Sequence, residues 1–328
     1  MDESFAKAWE AARNGAAFSP VPAPGLVSVR GEDRAGFLHG QLSADIKGLA
    51  PGTGVPAGLL SVHGKLVSPL AVYHLEGEHL LVGPAAAAPA AAAALAKMSV
   101  LADCAVEDLT GTRQAWLALG PRRAALLEAL AGRPSDPGPD GARAIVTSAG
   151  TVLLLADFLA GPPAFLVLVP SGSAERLAGV LRGAADVAGA VEAPAALLEA
   201  LRLEAGAPAW GVDADPDCLP QEVRMERSVK YDKGCYLGQE IMARLRDRGH
   251  VNRALVGLRL SEPASPGDPV EDSDGSVLGR LTSVAPSPTL GAPLALAMLK
   301  TAGGAPGAAL TVRAGGRRVS AALVELPL

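Results

Sequence analysis

Cysteine is scarce in this chain of 328 residues, and the scarcity sets a first limit. Only Cys104, Cys218 and Cys235 occur, with no CxxC spacing. That is no disulfide framework, and three thiols cannot complete a four-cysteine zinc or iron–sulfur site within one chain. Aromatic residues make up 3% of the sequence, too few for base-stacking platforms, so direct nucleic-acid binding is not expected. A net charge of −5 also argues against a general polyanion binder. The longest apolar stretch, Pro84 to Ala96, is nearly all alanine and too short to span a bilayer. Met1-Asp2-Glu3 lacks the basic-then-apolar order of a leader, so the cytoplasm is the expected setting, with no membrane partner. The five histidines form no HxxxH pair and no GxxxxGK[ST] occurs, so neither a metal site nor a P-loop is expected.

What is present is a packed α+β chain. Apolar residues make up 49% and charged ones 19%. Leu26–Arg30 reads as a strand, and Asp33 as the cap of a helix using Phe37, Leu38 and Leu42. A hairpin turning at His63-Gly64 follows, then strand Leu80–Val82, an alanine-rich helix to Lys97 and strand Val100–Leu109. From Trp116 the same order of strand, helix, hairpin, strand and helix returns, which predicts a duplicated α+β unit. Pro194–Ala205 has a helical period with Gly206 as its stop. After His250 the pattern turns to alternation, with turns at Asp274-Gly275 and Gly315-Gly316, as in a small β-barrel. The expected division is a first unit over 1–110, a second over 111–192, a segment over 193–250 that completes the body, and a barrel-like domain over 251–328.

Charge inverts between Glu222 and Arg253, where eight basic residues face five acidic ones on an otherwise acidic chain. Such a patch suits a small anionic ligand; it equally suits a solvated helix face with ion pairs such as Glu240–Arg244. Within it lies Lys233-Gly234-Cys235-Tyr236-Leu237-Gly238-Gln239-Glu240. A thiol beside a lysine and ahead of a helix start is placed where a thiolate forms more easily. Cys104 and Cys218 carry no such surroundings.

The run KGCYLGQEIMAR, Lys233 to Arg244, closely resembles the signature of the YgfZ family of folate-binding proteins, relatives of the aminomethyltransferase (T-protein) of the glycine cleavage system. The resemblance extends to Leu201–Gly206, Trp210–Asp213, Leu219–Glu222, Leu278–Ser283 and Phe37–Asp45. It implies two or three α+β units around a central tetrahydrofolate pocket, followed by a C-terminal β-barrel. It also implies a part in assembly or repair of iron–sulfur enzymes, including those that thiomethylate tRNA, with client or assembly proteins as partners. Cys235 is then the functional thiol. Glu204 matches the glutamate that binds the pterin in T-proteins, and Lys233, Arg244 and Arg248 are further folate-binding candidates. T-proteins carry an aspartate pair at the start of the second hairpin strand, whereas Gly64–Leu70 holds no acid. Aminomethyl transfer therefore lacks its usual acid–base group, and a folate-dependent transferase stands as the alternative.

Overall fold

The alternating and helical segments resolve into two sheets and a barrel in the computed structural model, which describes residues 3–159, 161–301 and 309–328. Helix α1 (Glu3–Asn14) and strand β1 (Ala17–Val21) come first. Next follow β2 (Gly25–Arg30), α2 (Arg34–Gln41), β3 (Gly54–Leu60), β4 (Leu66–Leu75), β5 (Glu78–Gly83), α3 (Ala88–Met98) and β6 (Ala105–Asp108). The same order returns as β7 (Arg113–Leu119), α4 (Arg123–Ala131), β8 (Ala142–Thr147), β9 (Gly150–Asp157), β10 (Ala164–Pro170), α5 (Ala174–Ala188) and β11 (Val191–Glu192).

The duplication extends to strand order. The first sheet runs β3-β4-β5-β2-β6 and the second β8-β9-β10-β7-β1-β11. Strand β1 is inserted between β7 and β11, so the second sheet takes strands from both sides of residue 110. The two sheets face one another. Along β4, Ala71 and Tyr73 enter the shared core while Leu70 and Val72 face α2 and α3, as a period of two requires. Along β9, Leu153 and Leu155 enter the shared core, and Val152 and Leu154 face α4 and α5. The Tyr73 hydroxyl donates to the Ala156 carbonyl and so joins the sheets directly.

Helix α6 (Ala195–Ala205) packs its buried Leu197 and Leu201 into that core and ends at Gly206, whose φ of 70° only glycine adopts readily. After α7 (Gln239–Arg248), strands β12 (Arg253–Leu260), β13 (Pro269–Glu271), β14 (Val277–Ser287), β15 (Ala292–Lys300), β16 (Ala309–Ala314) and β17 (Arg317–Val324) close a barrel in the order β12-β15-β14-β13-β16-β17. The expected α+β body and β-barrel are both present. No helix among the described residues is long and apolar enough to cross a membrane.

Three local expectations are corrected. Asp33 makes no side-chain cap; its carboxylate accepts from the Asp103 amide at 2.8 Å instead. The strand expected from Val100 starts only at Ala105, because Ser99–Leu101 forms a 3-10 turn with Leu101 fully exposed. Helix α1 and strand β1 were not expected at all.

His79, on β5, is 1% exposed, stacks on His74 at 4.6 Å, and has no hydrogen-bond partner for either ring nitrogen. Burial, then the charges of His74 and Arg34, push its pKa from 6.5 down to about 4. The unfolded chain takes up this proton near 6.5 and the folded chain only near 4, so stability falls as pH drops through that window. The loss approaches about 3 kcal/mol. Urea denaturation of His79→Phe on both sides of pH 6.5 is expected to show a smaller acid destabilisation than the parent.

Candidate functional site

Helix α6 delivers its last turn to the junction of the sheets and the barrel. The Arg202 guanidinium pairs with Asp213 at 2.6 Å and Glu199 at 2.6 Å, and donates to the Ser283 hydroxyl at 2.8 Å. Asp213 is buried and also accepts from the Ala209 amide and the hydroxyls of Thr282 and Ser283. Successive strand residues normally point to opposite faces. Here a register shift between Leu281 and Ser283 lets both hydroxyls reach one carboxylate. The Trp210–Asp213 and Leu278–Ser283 motifs are therefore the joint between body and barrel.

Glu204 sits in the same joint and is 3% exposed. One carboxylate oxygen accepts from the Ser287 hydroxyl at 2.6 Å and the Thr289 amide at 3.1 Å. These donors offset the unfavourable helix-end dipole. The other oxygen, Oε2, is buried without a partner. Its neighbours Ala205 and Gly206 line a cavity of about 630 Å³, and Glu204 itself is not among the lining residues.

The cavity draws on both sheets, the 207–228 segment and the chain after β17. Seven of its lining residues are prolines, among them Pro56 and Pro69 of the first hairpin and Pro163 and Pro208 opposite. Phe158 and Trp210 add flat apolar surface, while Arg123, Arg224, Arg227, Asp157 and Glu226 supply charge. Arg224 is the only described non-glycine residue at positive φ, 62°, and its guanidinium donates to the Leu326 carbonyl at 2.8 Å. Sequence reading missed Arg123, Asp157 and Phe158, which only tertiary folding brings here. Arg224 and Arg227 carried a signal, their place in the basic stretch. Pro69 and Leu70 border the cavity from the acid-free start of β4.

The signature loop forms a second centre. Lys233 donates to the carbonyls of His39, Leu42 and Ala44 at 2.5–2.7 Å, at the end of α2. Burial pulls its pKa down to about 8, Asp45 opposing, so it stays charged at neutral pH. All three of its donors are used in this anchor, and Lys233 is not among the residues lining the cavity. Gly238 caps α7 at φ 82°, and a Cβ there would stand 2.6 Å from the Ser61 carbonyl. The loop thus rests on the hairpin turn, with Tyr236 and Met242 buried against Leu60 and Leu66. Cys235 is exposed, three residues ahead of the cap, with the nearby imidazole of His39 facing Gly234. Cys235 and Arg244 are absent from the cavity lining, and Arg244 is exposed without the expected Glu240 ion pair. The Arg248 side chain lies outside the described residues.

Lys233→Met strands three carbonyls and is expected to cost about 2–4 kcal/mol, read as a lowered denaturation midpoint. Retained stability would mean the loop is held by Tyr236 and Met242 alone.

Residues 1–233 match the GCVT N-terminal domain and residues 253–328 the glycine cleavage T-protein C-terminal barrel domain. The chain is 30% identical to an aminomethyltransferase of Streptomyces avermitilis, covering 87% of this chain and 78% of the relative. With an aminomethyltransferase of Saccharopolyspora erythraea it shares 28% identity over 97% of this chain and 88% of the relative. The crystal structure of the glycine cleavage system aminomethyltransferase T from Bartonella henselae superposes with a TM-score of 0.86 at 25% identity, covering 98% of this chain and 88% of that one. Matched from the first sheet to the barrel, the chain belongs to the glycine cleavage T-protein (GCVT) family.

Proposed function

We propose that this protein binds tetrahydrofolate in the cavity between the sheets and serves folate-dependent one-carbon chemistry. The observation that carries this is the lining, where flat apolar walls, carboxylates and guanidinium groups share about 630 Å³. A pterin ring offers N–H donors that suit a carboxylate, and its glutamate tail offers carboxylates that suit arginine. Glu204, whose Oε2 is buried without a partner, immediately precedes the lining residues Ala205 and Gly206, and such a carboxylate suits the pterin's N–H donors. When bound, tetrahydrofolate supplies the nitrogens that carry a one-carbon unit. The chain's own part is to orient it between rigid walls and exclude water.

Glu204→Gln keeps an oxygen acceptor for Ser287 and Thr289 and removes only the charge. Titration with tetrahydrofolate is expected to show at least about tenfold weaker binding, with the melting temperature little changed. Unchanged affinity would restrict Glu204 to pinning the barrel.

Similarity along nearly the whole chain to proteins named aminomethyltransferase favours aminomethyl transfer as the chemistry. On that reading Asp157 or Glu226 handles the proton, since the start of β4 has no acid. A second reading, the YgfZ type, rests on exposed Cys235 in KGCYLGQE together with those missing acids. On it the protein assists assembly or repair of cytoplasmic iron–sulfur enzymes, tRNA-thiomethylating ones among them, and the cluster belongs to the client.

Turnover of an aminomethylated lipoyl carrier separates the two. Under the first reading the purified protein turns over, Asp157→Asn or Glu226→Gln loses about a hundredfold or more, and Cys235→Ser keeps full activity. Under the second there is no turnover, and Cys235→Ser folds and binds folate yet fails to restore client-enzyme activity in a deletion strain. Full rescue by the serine variant removes the second reading.

A further inference from the structure

A smaller cleft of about 330 Å³ opens between the 212–218 segment and the barrel. It shares no lining residue with the cavity between the sheets: Trp210 and Ala214 line that one, whereas Val212, Asp213, Asp215 and Cys218 line the cleft. The barrel contributes three cations from three adjacent strands. Arg253 of β12 and Lys300 of β15 stand directly opposite across the ladder, and Arg280 of β14 stands opposite Met298, two residues before Lys300. Opposite residues share a face, as do residues two apart on one strand, so all four side chains belong to one face of the barrel. All four line the cleft. Opposite side chains leave the ladder about 5 Å apart and diagonal ones about 7–8 Å apart.

Like charges placed directly opposite one another destabilise a sheet, and here a third cation stands diagonal to them. Protein carboxylates relieve only one of the three. Arg253 meets Glu222 at 3.2 Å, and the same nitrogen reaches the Asp217 carbonyl at 3.1 Å and the Cys218 sulfur at 3.6 Å. Arg280 and Lys300 form no ion pair among the described residues. The two acids of the lining are already engaged. Asp213 is buried against Arg202, and Asp215 accepts from the Asp217 amide at 2.8 Å and the Cys218 thiol at 3.3 Å within its own turn. Val212, Leu278 and Met298 give the cleft an apolar share beside the charges.

We infer that this cleft binds a small phosphate monoester, with the phosphoryl group between Arg280 and Lys300 and the organic part against Leu278, Met298 and Val212. A phosphate monoester carries about 1.5 to 2 negative charges at pH 7 and has three terminal acceptor oxygens, so one group answers two unpaired cations at once. A carboxylate brings one charge and two oxygens. The volume is at the lower end of the range for small-molecule sites, which suits a compact ligand. Arg253 stays on Glu222 and adds its field from the neighbouring strand. The bound molecule touches both the 212–218 segment and β14, so it ties body to barrel beside the Arg202–Asp213 pair and raises the melting temperature by mass action. None of this depends on the folate reading, since the two sites have no residue in common.

The test is titration of the full chain with phenyl phosphate, inorganic phosphate and benzoate at constant ionic strength, read by calorimetry and by melting temperature. Phenyl phosphate is expected to saturate with a Kd below about 1 mM and to bind at least about tenfold tighter than benzoate, with inorganic phosphate between them. Arg280→Gln and Lys300→Gln alter exposed side chains, so both variants are expected to fold as the parent does and to bind phenyl phosphate at least about fivefold more weakly. Arg227→Gln, in the cavity between the sheets, is expected to leave that affinity unchanged. Absence of saturation below about 10 mM overturns the site, and so does binding that neither Arg280→Gln nor Lys300→Gln weakens. Benzoate binding as tightly as phenyl phosphate overturns the choice of phosphate, and inorganic phosphate doing so overturns the apolar share. A loss in Arg227→Gln alone moves the anion to the other cavity and overturns the inference as well.

Discussion

The buried pair between Arg202 and Asp213 governs the rest of the architecture. Both Asp213 oxygens are satisfied, by Arg202 and the Ala209 amide on one side and by the Thr282 and Ser283 hydroxyls on the other. A half-satisfied buried network would destabilise; a complete one fixes orientation. Through it the end of α6, the 207–214 turn and strand β14 are held in one arrangement. That turn supplies Ala207, Pro208, Trp210 and Ala214 to the cavity. The register shift in β14 thus shapes a wall of the cavity without lining it.

Periodicity was legible wherever a segment was long enough to show it. The repeated units, α6 and the barrel turns appear where their spacing placed them. Strand β1 escaped because Ala-Phe-Ser-Pro-Val is five residues with a proline, and its partners β7 and β11 lie about a hundred residues or more away. Asp33 had the cap residue type, but a tertiary acceptor role at Asp103 outcompeted the local one. The resemblance singled out Glu204 and Cys235 but could not show that one is buried beside Ser287 and the other exposed. For Lys233, sequence cannot show three carbonyls converging at the end of α2. Arg123 and Asp157 stand in ordinary helix and strand contexts, and only the facing of two sheets gives them a common purpose.

The molecule separates two kinds of chemistry. The cavity lies between the sheets, whereas the thiol is exposed on a loop anchored by Lys233 and propped on the β3–β4 turn. That hairpin is common to both: Pro69 and Leu70 border the cavity and Ser61 and Gly64 support the loop. A change in the hairpin therefore reaches both centres, and Trp210, Ala214 and Met225 of the cavity lining pack in the same cluster as Tyr236 and Met242.

The prolines of the cavity wall have a further consequence. A proline has no amide hydrogen and a fixed φ, so these positions cannot donate to a ligand and cannot swing to meet one. Every hydrogen bond donated to a guest near such a position must come from a neighbouring residue. Fixed φ at these positions limits how far the wall can rearrange, which lowers the ordering cost of association. Amide hydrogen exchange is silent at the prolines themselves, so occupancy would leave its footprint on the flanking strands. Inherited changes in what this chamber accepts would then arise by exchanging arginines, acids and aromatics on a rigid frame, with the backbone left where it is.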